Sequence, residues 1–346
     1  MAAVNPHRIG LKVNGRIYEG WTGARIQRGV EQLVGTFSVQ HTDRWTGQAE
    51  RSPIVAGNAC VLTIDDQVVI SGWVDDDEDG LDAKEHGISV SGRDAACDLV
   101  DCAAVHQAGE WHGVTLMDIV AELVKPFGIP VRSEVATGKA FEVFAIDKGE
   151  TVIQAIRRLC DHRGVLAVSD GLGGIVITRS GTKRCGGALI EGENVKRRRR
   201  RRSHAQRFSE YRVLGQDGAG EDDAMAAAPT AVARDPGVTR YRPTIIKATD
   251  EGDGVSFAER AAFAARVARA RAHTIEVTVQ GWTMANGLVW PINQLVPVRL
   301  PSIGVDTDML IAGVEFTIDE NDGSLAVLQL VGSGAYEVLP IPEEAA

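Results

Sequence analysis

Over the first hundred residues, apolar and polar positions alternate with a period of two, the pattern of strands that bury one face. RIGLKVNGRIYEGW holds two short runs joined by Asn14-Gly15, a strong signal for a two-residue hairpin turn. GTFSVQHTD puts Phe37 and Val39 on one face, and ACVLTIDDQVVISGWVDD reads as two runs about Asp65-Asp66. HGISVSGRD follows, with Ile88 and Val90 on one face. Many short strands at this spacing predict a sandwich or barrel.

The period then changes. GVTLMDIVAELVKPFG places Leu116, Ile119, Val120, Leu123 and Val124 at helical spacing, with Thr115 as N-cap, Asp118 at the capping-box position and Pro126 as the stop. GETVIQAIRRLCDHRG is a second helix, with Val152, Ile153, Ile156, Leu159 and Cys160 on one stripe and Gly164 past its end. VLAVSDGLGGIVITRSG makes a hairpin at a glycine-rich turn. Residues 106–185 therefore read as a small α+β module set between β regions at 1–105 and 186–346. In the later region EYRVLGQ is a strand, and about 215–255 is expected to be a long loop. SFAERAAFAARVARARAH is a helix (about 256–273) capped by Ser256 and Glu259. TIEVTVQGW, LVPVRLP, MLIAGVEFTID and GSLAVLQLVG are strands, with Asn321-Asp322-Gly323 as a turn. The fold class is mainly β with an α+β insertion. Trp21, Trp73, Trp282 and Trp290 are expected in cores or subunit contacts, with core preferred for each.

Composition narrows the function. The 346 residues are 44% hydrophobic and 24% charged, ordinary for a globular chain. No run of about 18 apolar residues predicts a membrane span, so no membrane insertion is expected. The N-terminus has no continuous apolar stretch of the kind that drives secretion. Five cysteines without a CxxC pair suit a reducing compartment. A net charge of −10 disfavours general coating of nucleic acid.

Candidate chemistry is sparse. Cys97, Cys102, His106 and His112 supply four soft ligands at C-x4-C-x3-H-x5-H spacing, which falls outside usual zinc-finger separations; Cys97 and Cys102 also read as small packed hydrophobes. Asp75, Asp77, Asp79 and Gly80 match the start of a calcium loop, but His86 stands where the bidentate Glu belongs, and a solvated acidic turn explains them as well. DGLGGI is explained by a hairpin turn. No nucleophile–base–orienter set stands out, so an enzyme is not expected, and no cofactor either.

Against this acidic background stand six consecutive arginines, Arg197, Arg198, Arg199, Arg200, Arg201 and Arg202. In a strand beginning at Lys196 they alternate, with 197, 199 and 201 on one side and 198, 200 and 202 on the other. Neither face can enter an apolar core, because an unpaired buried guanidinium is prohibitively costly. The run must project into water, face acidic partners, or line a wet channel.

LKVNGRIYEGW, GTFSVQHTDRW, GNACVLTID, GWVDD, HGISVSGRDAACDLVDCAA, RFSEYRVLGQ and GLVWPINQLVPVRLP, in this order, resemble the baseplate hub proteins of Mu-like contractile phage tails. The resemblance implies a homotrimer whose subunits each carry two antiparallel β-barrel domains. The barrels can be discontinuous in sequence, with the α+β module outside or below them. Three copies would form a pseudo-sixfold ring that adapts the tail tube, or an adaptor protein on it, to a threefold spike. Phage DNA would pass with transient, non-specific contact. The localisation implied is the virion baseplate, after assembly in the host cytoplasm. VGSGAYEVLPIPEEAA follows the last strand with no β-helical extension, so spike and wall-digesting activity are expected on other chains. The family pattern leads one to expect varied polar and small residues where the six arginines stand; within that pattern the run becomes the lead-in to RFSEYRVLGQ, facing the ring lumen or a neighbouring subunit's acidic loop such as that carrying Asp75–Asp79, or else a solvated loop. Two other functions stay open: a nucleic-acid-binding protein using Arg197–Arg202, and a cell-wall hydrolase.

Overall fold

The structure, a computed structural model, describes residues 7–42, 54–81, 86–215, 230–248, 256–319 and 323–340. The first β region contributes β1 (Ile9–Val13), β2 (Arg16–Tyr18), β3 (Gly23–Gly29), β4 (Thr36–Thr42), β5 (Ala59–Ile64), β6 (Gln67–Leu81) and β7 (His86–Asp94). Asn14-Gly15 and Asp65-Asp66 take positive φ and join β1–β2 and β5–β6 as two-residue hairpins.

The middle segment holds α1 (Cys97–Asp101), β8 (Glu110–Val114), α2 (Leu116–Val124), β9 (Val131–Ser133), β10 (Phe141–Ala145), α3 (Val152–Arg163), β11 (Leu166–Ser169) and β12 (Ile175–Thr178). Thr115 caps α2 through the Asp118 amide, and the Thr151–Gln154 capping box opens α3. β11 and β12 form the expected hairpin, and β9 adds parallel to β12. Leu116, Ile119, Phe141, Ile156, Ile175 and their neighbours close a core of their own.

The third segment runs β13 (Leu189–Ile190), β14 (Val195–Arg202), β15 (Glu210–Gly215), β16 (Thr230–Arg234), β17 (Pro243–Ala248), α4 (Phe257–Arg271), β18 (His273–Gln280), β19 (Leu295–Leu300), β20 (Val305–Asp319) and β21 (Gly323–Gly332). The expected loop at 215–255 contains β16 and β17, which flank β15 in a separate three-stranded sheet lying against α4. β16 (TAVAR) and β17 (PTIIKA) are short, so they carry little alternation. EYRVLG therefore belongs to this small sheet and not to the main one. Asn321 and Asp322 lie outside the described residues.

The two large β regions do not separate into two closed barrels among the described residues. They form one 13-stranded sheet, in the order β14-β18-β21-β20-β3-β4-β7-β6-β5-β1-β2, with β19 and β13 branching from β20. The reason is β20. Residues 305–310 pair with β19, and 313–318 pair with β3 on the same edge, while β21 occupies the other edge. A bulge between Ile311 and Gly313 separates the two halves, and the Ala312 carbonyl is taken by the Val30 amide at 2.8 Å. The inserted residue shifts the alternation, so Met309, Ile311, Val314 and Phe316 all face one core. That core is continuous from Leu11 and Ile70 to Val277 and Leu328.

Trp21, Trp282 and Trp290 are buried as expected, whereas Trp73 is 39% exposed, because its position on β6 faces the open side of the sheet. The module is docked at the Asp170–Gly174 turn. Arg28 donates to the Asp170 carbonyl at 2.7 Å, and the Ser71 amide to the Gly171 carbonyl at 2.8 Å. The Asp94 carboxylate accepts from the amides of Gly35 and Ala96 and from the Ser169 hydroxyl. Burial pushes the Asp94 carboxyl up, against these hydrogen bonds and the Arg28 charge. Gly171 has φ +75°, and a Cβ there would sit 2.5 Å from the Val69 carbonyl, so the docking turn requires glycine.

Because one core serves both β regions, removing its largest fully buried side chain should destabilise them together. Trp282 donates its indole N–H to the Thr317 carbonyl at 3.0 Å. Trp282→Ala is expected to cost about 3–5 kcal/mol in urea unfolding, with both β regions lost in one transition. Loss of the third-segment strands alone, with the first region intact, would contradict a shared core.

Candidate functional site at the arginine edge strand

The arginine run is a strand in its own right, not a lead-in to EYRVLG. β14 is the terminal strand of the main sheet and pairs with β18: Arg197 stands opposite Thr278, Arg199 opposite Glu276 and Arg201 opposite Thr274. Val195 packs on the core, and a bulge at Lys196 precedes the run. The sequence itself disfavours this. Guanidiniums two residues apart stand roughly 6.6 Å from each other and repel by about 0.6 kcal/mol per pair in water before screening. The β18 ladder, with its buried Ile275, Val277 and Val279, holds the strand in place.

The two faces differ. On one face Arg198 donates to Glu191 at 3.3 Å and to the Ser302 hydroxyl at 2.7 Å, and Arg200 donates to the Ile303 carbonyl at 2.9 Å. Ser302 and then Arg198 hold the Glu191 carboxyl below its ordinary range. On the other face no hydrogen bond or ion pair among the described residues holds Arg199 or Arg201. Both border a cleft of about 420 Å³ with Arg271, Glu31, Glu276 and Tyr336.

That second face continues across the sheet. Cross-strand register carries it through Glu276 and Thr278, Gln329, Glu315 and Thr317, Arg25 and Gln27, Thr36 and Ser38, to Ser89, Ser91 and Arg93. Glu315 accepts from Arg25 at 2.8 Å and from Gln27. Eight strands, β14-β18-β21-β20-β3-β4-β7-β6, thus present one mainly polar, mixed-charge surface, backed by the core and interrupted by Leu325, Val327, Val331 and Trp73.

At the far end stand Asp75–Asp79. They are not in a turn; they are part of β6, paired with β7 as far as Leu81 and His86. A calcium loop needs its carboxylates to converge. Here Asp75 is held by Arg93 at 2.6 Å, Asp76 lies opposite Ser91, and Asp77 accepts from the Ala56 amide at 2.7 Å. The four soft ligands are likewise dispersed. Cys97 is buried in α1, and burial pushes its thiol up to about 12. Cys102 is exposed, His106 stacks on Trp111 at 4.3 Å, and His112 is exposed beside Glu110. Among the described residues no group of three or more such side chains could hold a metal ion.

Sequence reasoning missed the anchor behind β14. The buried Asp235 carboxylate takes a bidentate pair from Arg207 at 2.5 and 2.8 Å, with Arg269 of α4 at 3.4 Å. It ties the segment after β14 to the small sheet and to α4. Only the arginines flanking a polar stretch hinted at it.

Three family models match in chain order: the N-terminal domain of Mu phage baseplate assembly protein GpP-like over residues 8–94, the second domain of baseplate hub protein gp44-like over 96–179, and the fourth domain of Mu phage baseplate assembly protein GpP over 255–338. Baseplate hub protein gp44 of Escherichia phage Mu is 32% identical over 325 residues, 91% of this chain and 85% of that protein. The chain belongs to the Mu-type baseplate hub family. Two solved structures share its fold throughout. The 43 kDa tail protein of prophage MuSo2 from Shewanella oneidensis has a TM-score of 0.84 at 36% identity, covering 96% of this chain and 100% of that one. The tail protein of Neisseria meningitidis MC58 has 0.82 at 23% identity, covering 97% and 100%. β14 lies in 180–254, outside the residues that these three family models match.

The Arg207 pair holds the Asp235 carboxyl down to about 2, from an ordinary 3.8. A depressed folded-state value contributes stability above the unfolded value that is lost as pH falls through the folded one. Unfolding followed by circular dichroism should therefore lose about 2 kcal/mol between pH 4 and pH 2, and Asp235→Asn should remove that part of the dependence. An unchanged acid profile in the variant would contradict the assignment.

Proposed function

We propose that this baseplate hub protein acts as a homotrimer that joins the tail tube, or an adaptor on it, to a central spike carried by another chain, and that its ring surrounds the DNA passage. The observation that carries the reading is the polar face of the eight strands from β14 to β6. One side of that sheet is sealed by the core; the other offers Arg25, Arg199, Arg201, Glu276, Glu315 and uncharged polar groups. Turned inward in a ring, it makes a wet lumen of mixed sign. Such a surface holds the phosphate backbone weakly, so DNA can move past it. In this reading the β regions on either side of β20 serve as two barrel-like units per subunit. Three copies then present a pseudo-sixfold rim to the tube and a threefold one to the spike. Assembly is placed in the host cytoplasm, before incorporation into the virion. No helix among the described residues is long and apolar enough to cross a membrane.

A second reading draws on the guanidiniums of Arg199 and Arg201, which no hydrogen bond or ion pair holds among the described residues: β14 as a grip on nucleic acid. The two readings differ in oligomeric state and in salt response. The hub reading predicts a particle of three times the chain mass by mass photometry, with an axial hole in negative-stain micrographs. A monodisperse monomer without rings would contradict it. It also predicts weak, sequence-blind DNA binding. A log-log salt slope near −5, from about six neutralised phosphates, would favour the grip.

A further inference from the structure

Among the described residues, two sheet edges of opposite charge have no strand added to them. β14 is the terminal strand at one end, and beyond the Glu191–Val195 bridge its backbone pairs only with β18 among the described residues. The other edge is the second half of β6. β5 pairs with β6 only as far as Ala59 opposite Trp73, and Gly57 and Asn58 bond to Val74. From Asp75 to Gly80 the outer edge of β6 has no backbone partner among the described residues, while its inner edge pairs with β7. One edge thus reads KRRRRRR and the other DDDEDG.

Open edges are templates for another strand, and proteins leave them open where a partner adds or where charge forbids one. Here each edge repels its own kind and attracts the other. Each also carries charge on both of its faces. Arg197, Arg199 and Arg201 stand on the polar face with Asp76 and Glu78, which lie opposite Ser91 and Ser89. Arg198, Arg200 and Arg202 stand on the opposite face with Asp77 and Asp79, which lie opposite the core-side Val90 and Ile88. Laying one edge beside the other therefore brings cation against anion on both faces.

Strand direction agrees. The eight strands from β14 to β6 make seven neighbouring pairs, all antiparallel, so β14 and β6 run in opposite directions. When a second copy is placed beside the first by rotation about a ring axis, its β6 meets β14 antiparallel, without a break in the alternation. The contact joins different surfaces of the two copies, so it is heterologous and closes only as a ring.

We infer that β14 is a docking edge for the acidic half of β6 of the next copy, and that pairing of Arg197–Arg202 with Asp75–Asp79 is the electrostatic part of the subunit contact. The inference rests on the trimeric hub reading and deepens it. It accounts for the hexa-arginine run as one half of a complementary pair, and for the persistence of a like-charged row on an edge strand.

The test is charge reversal read by mass photometry and sedimentation at low salt. One set is Arg197→Glu, Arg199→Glu and Arg201→Glu; the other is Asp76→Lys and Glu78→Lys, which leaves the Asp75–Arg93 pair intact. Each set alone should move the monomer–trimer midpoint at least about a hundredfold upward, and the chain carrying both should return to within about tenfold of the unaltered protein. Far-UV circular dichroism checks that each variant is folded. Should a single set fail to fold, the unaltered protein still decides: its midpoint should rise at least about tenfold from 50 to 500 mM NaCl, as screening shortens the reach of charge. A trimer indifferent to both reversals and to salt overturns the inference and leaves the hub reading standing. Loss of DNA binding in the arginine set, with the trimer unchanged, overturns it as well. An unaltered protein that is monomeric at every salt concentration overturns the hub reading itself.

Discussion

Strand β20 pairs with three strands although a strand has two edges, and the architecture follows from how that is arranged. Fifteen residues are enough to seat β19 and β3 one after the other on a single edge. The bulge at Ala312 bends the strand between them and corrects the phase of its side chains. Without the correction, Val314 and Phe316 would turn outward where Met309 and Ile311 turn inward. With it, one core forms from both β regions, and the first and third segments become one body. The polar face of the eight strands is the reverse side of that core. A ring whose lumen is a sheet face needs this continuity, because a hinge at β20 would break the face in two.

The α+β module is attached by a different device. It has its own core, and its turn at Asp170–Gly174 is clasped by Arg28, Ser71 and Asp94. A small apolar cluster of Val30, Val168, Leu310, Ala312, Val331 and Tyr336 lies next to the clasp. The contact meets β20 at the bulge, so the irregular point of the sheet is also where the module docks. Val331 and Leu310 of that cluster lie in register with Thr274 and Arg201, so the module meets the sheet on its polar side, at the Arg201 end of that face.

Much of the local structure was legible in the sequence. Asn14-Gly15 and Asp65-Asp66 specify their hairpins because two-residue turns demand positive φ. Thr115, Thr151 and Ser256 specify helix starts because their oxygens satisfy exposed amides. What was not legible depended on partners. DDDEDG and KRRRRRR have poor strand propensity, yet both are strands, since β7 and β18 offer complete ladders beside them. TAVAR and PTIIKA are too short to show a period, and it is β15 that makes them a sheet. The branching at β20 cannot be read from alternation at all, because alternation says which face is buried and not which strand is adjacent. The candidate site followed the same division. The alternation of the arginines was predictable from period two alone, and the open acidic edge that matches it appears only once β5 is seen to stop at Ala59.

In the proposed assembly, copies of this hub join edge to edge with the polar sheet face inward. Electron cryomicroscopy of the purified assembly tests it most directly. The account predicts a threefold ring in which the β14–β6 face lines the hole and each β14 lies antiparallel beside Asp75–Gly80 of its neighbour. A ring with that face turned outward, or with β14 on an unpartnered outer surface, would contradict it.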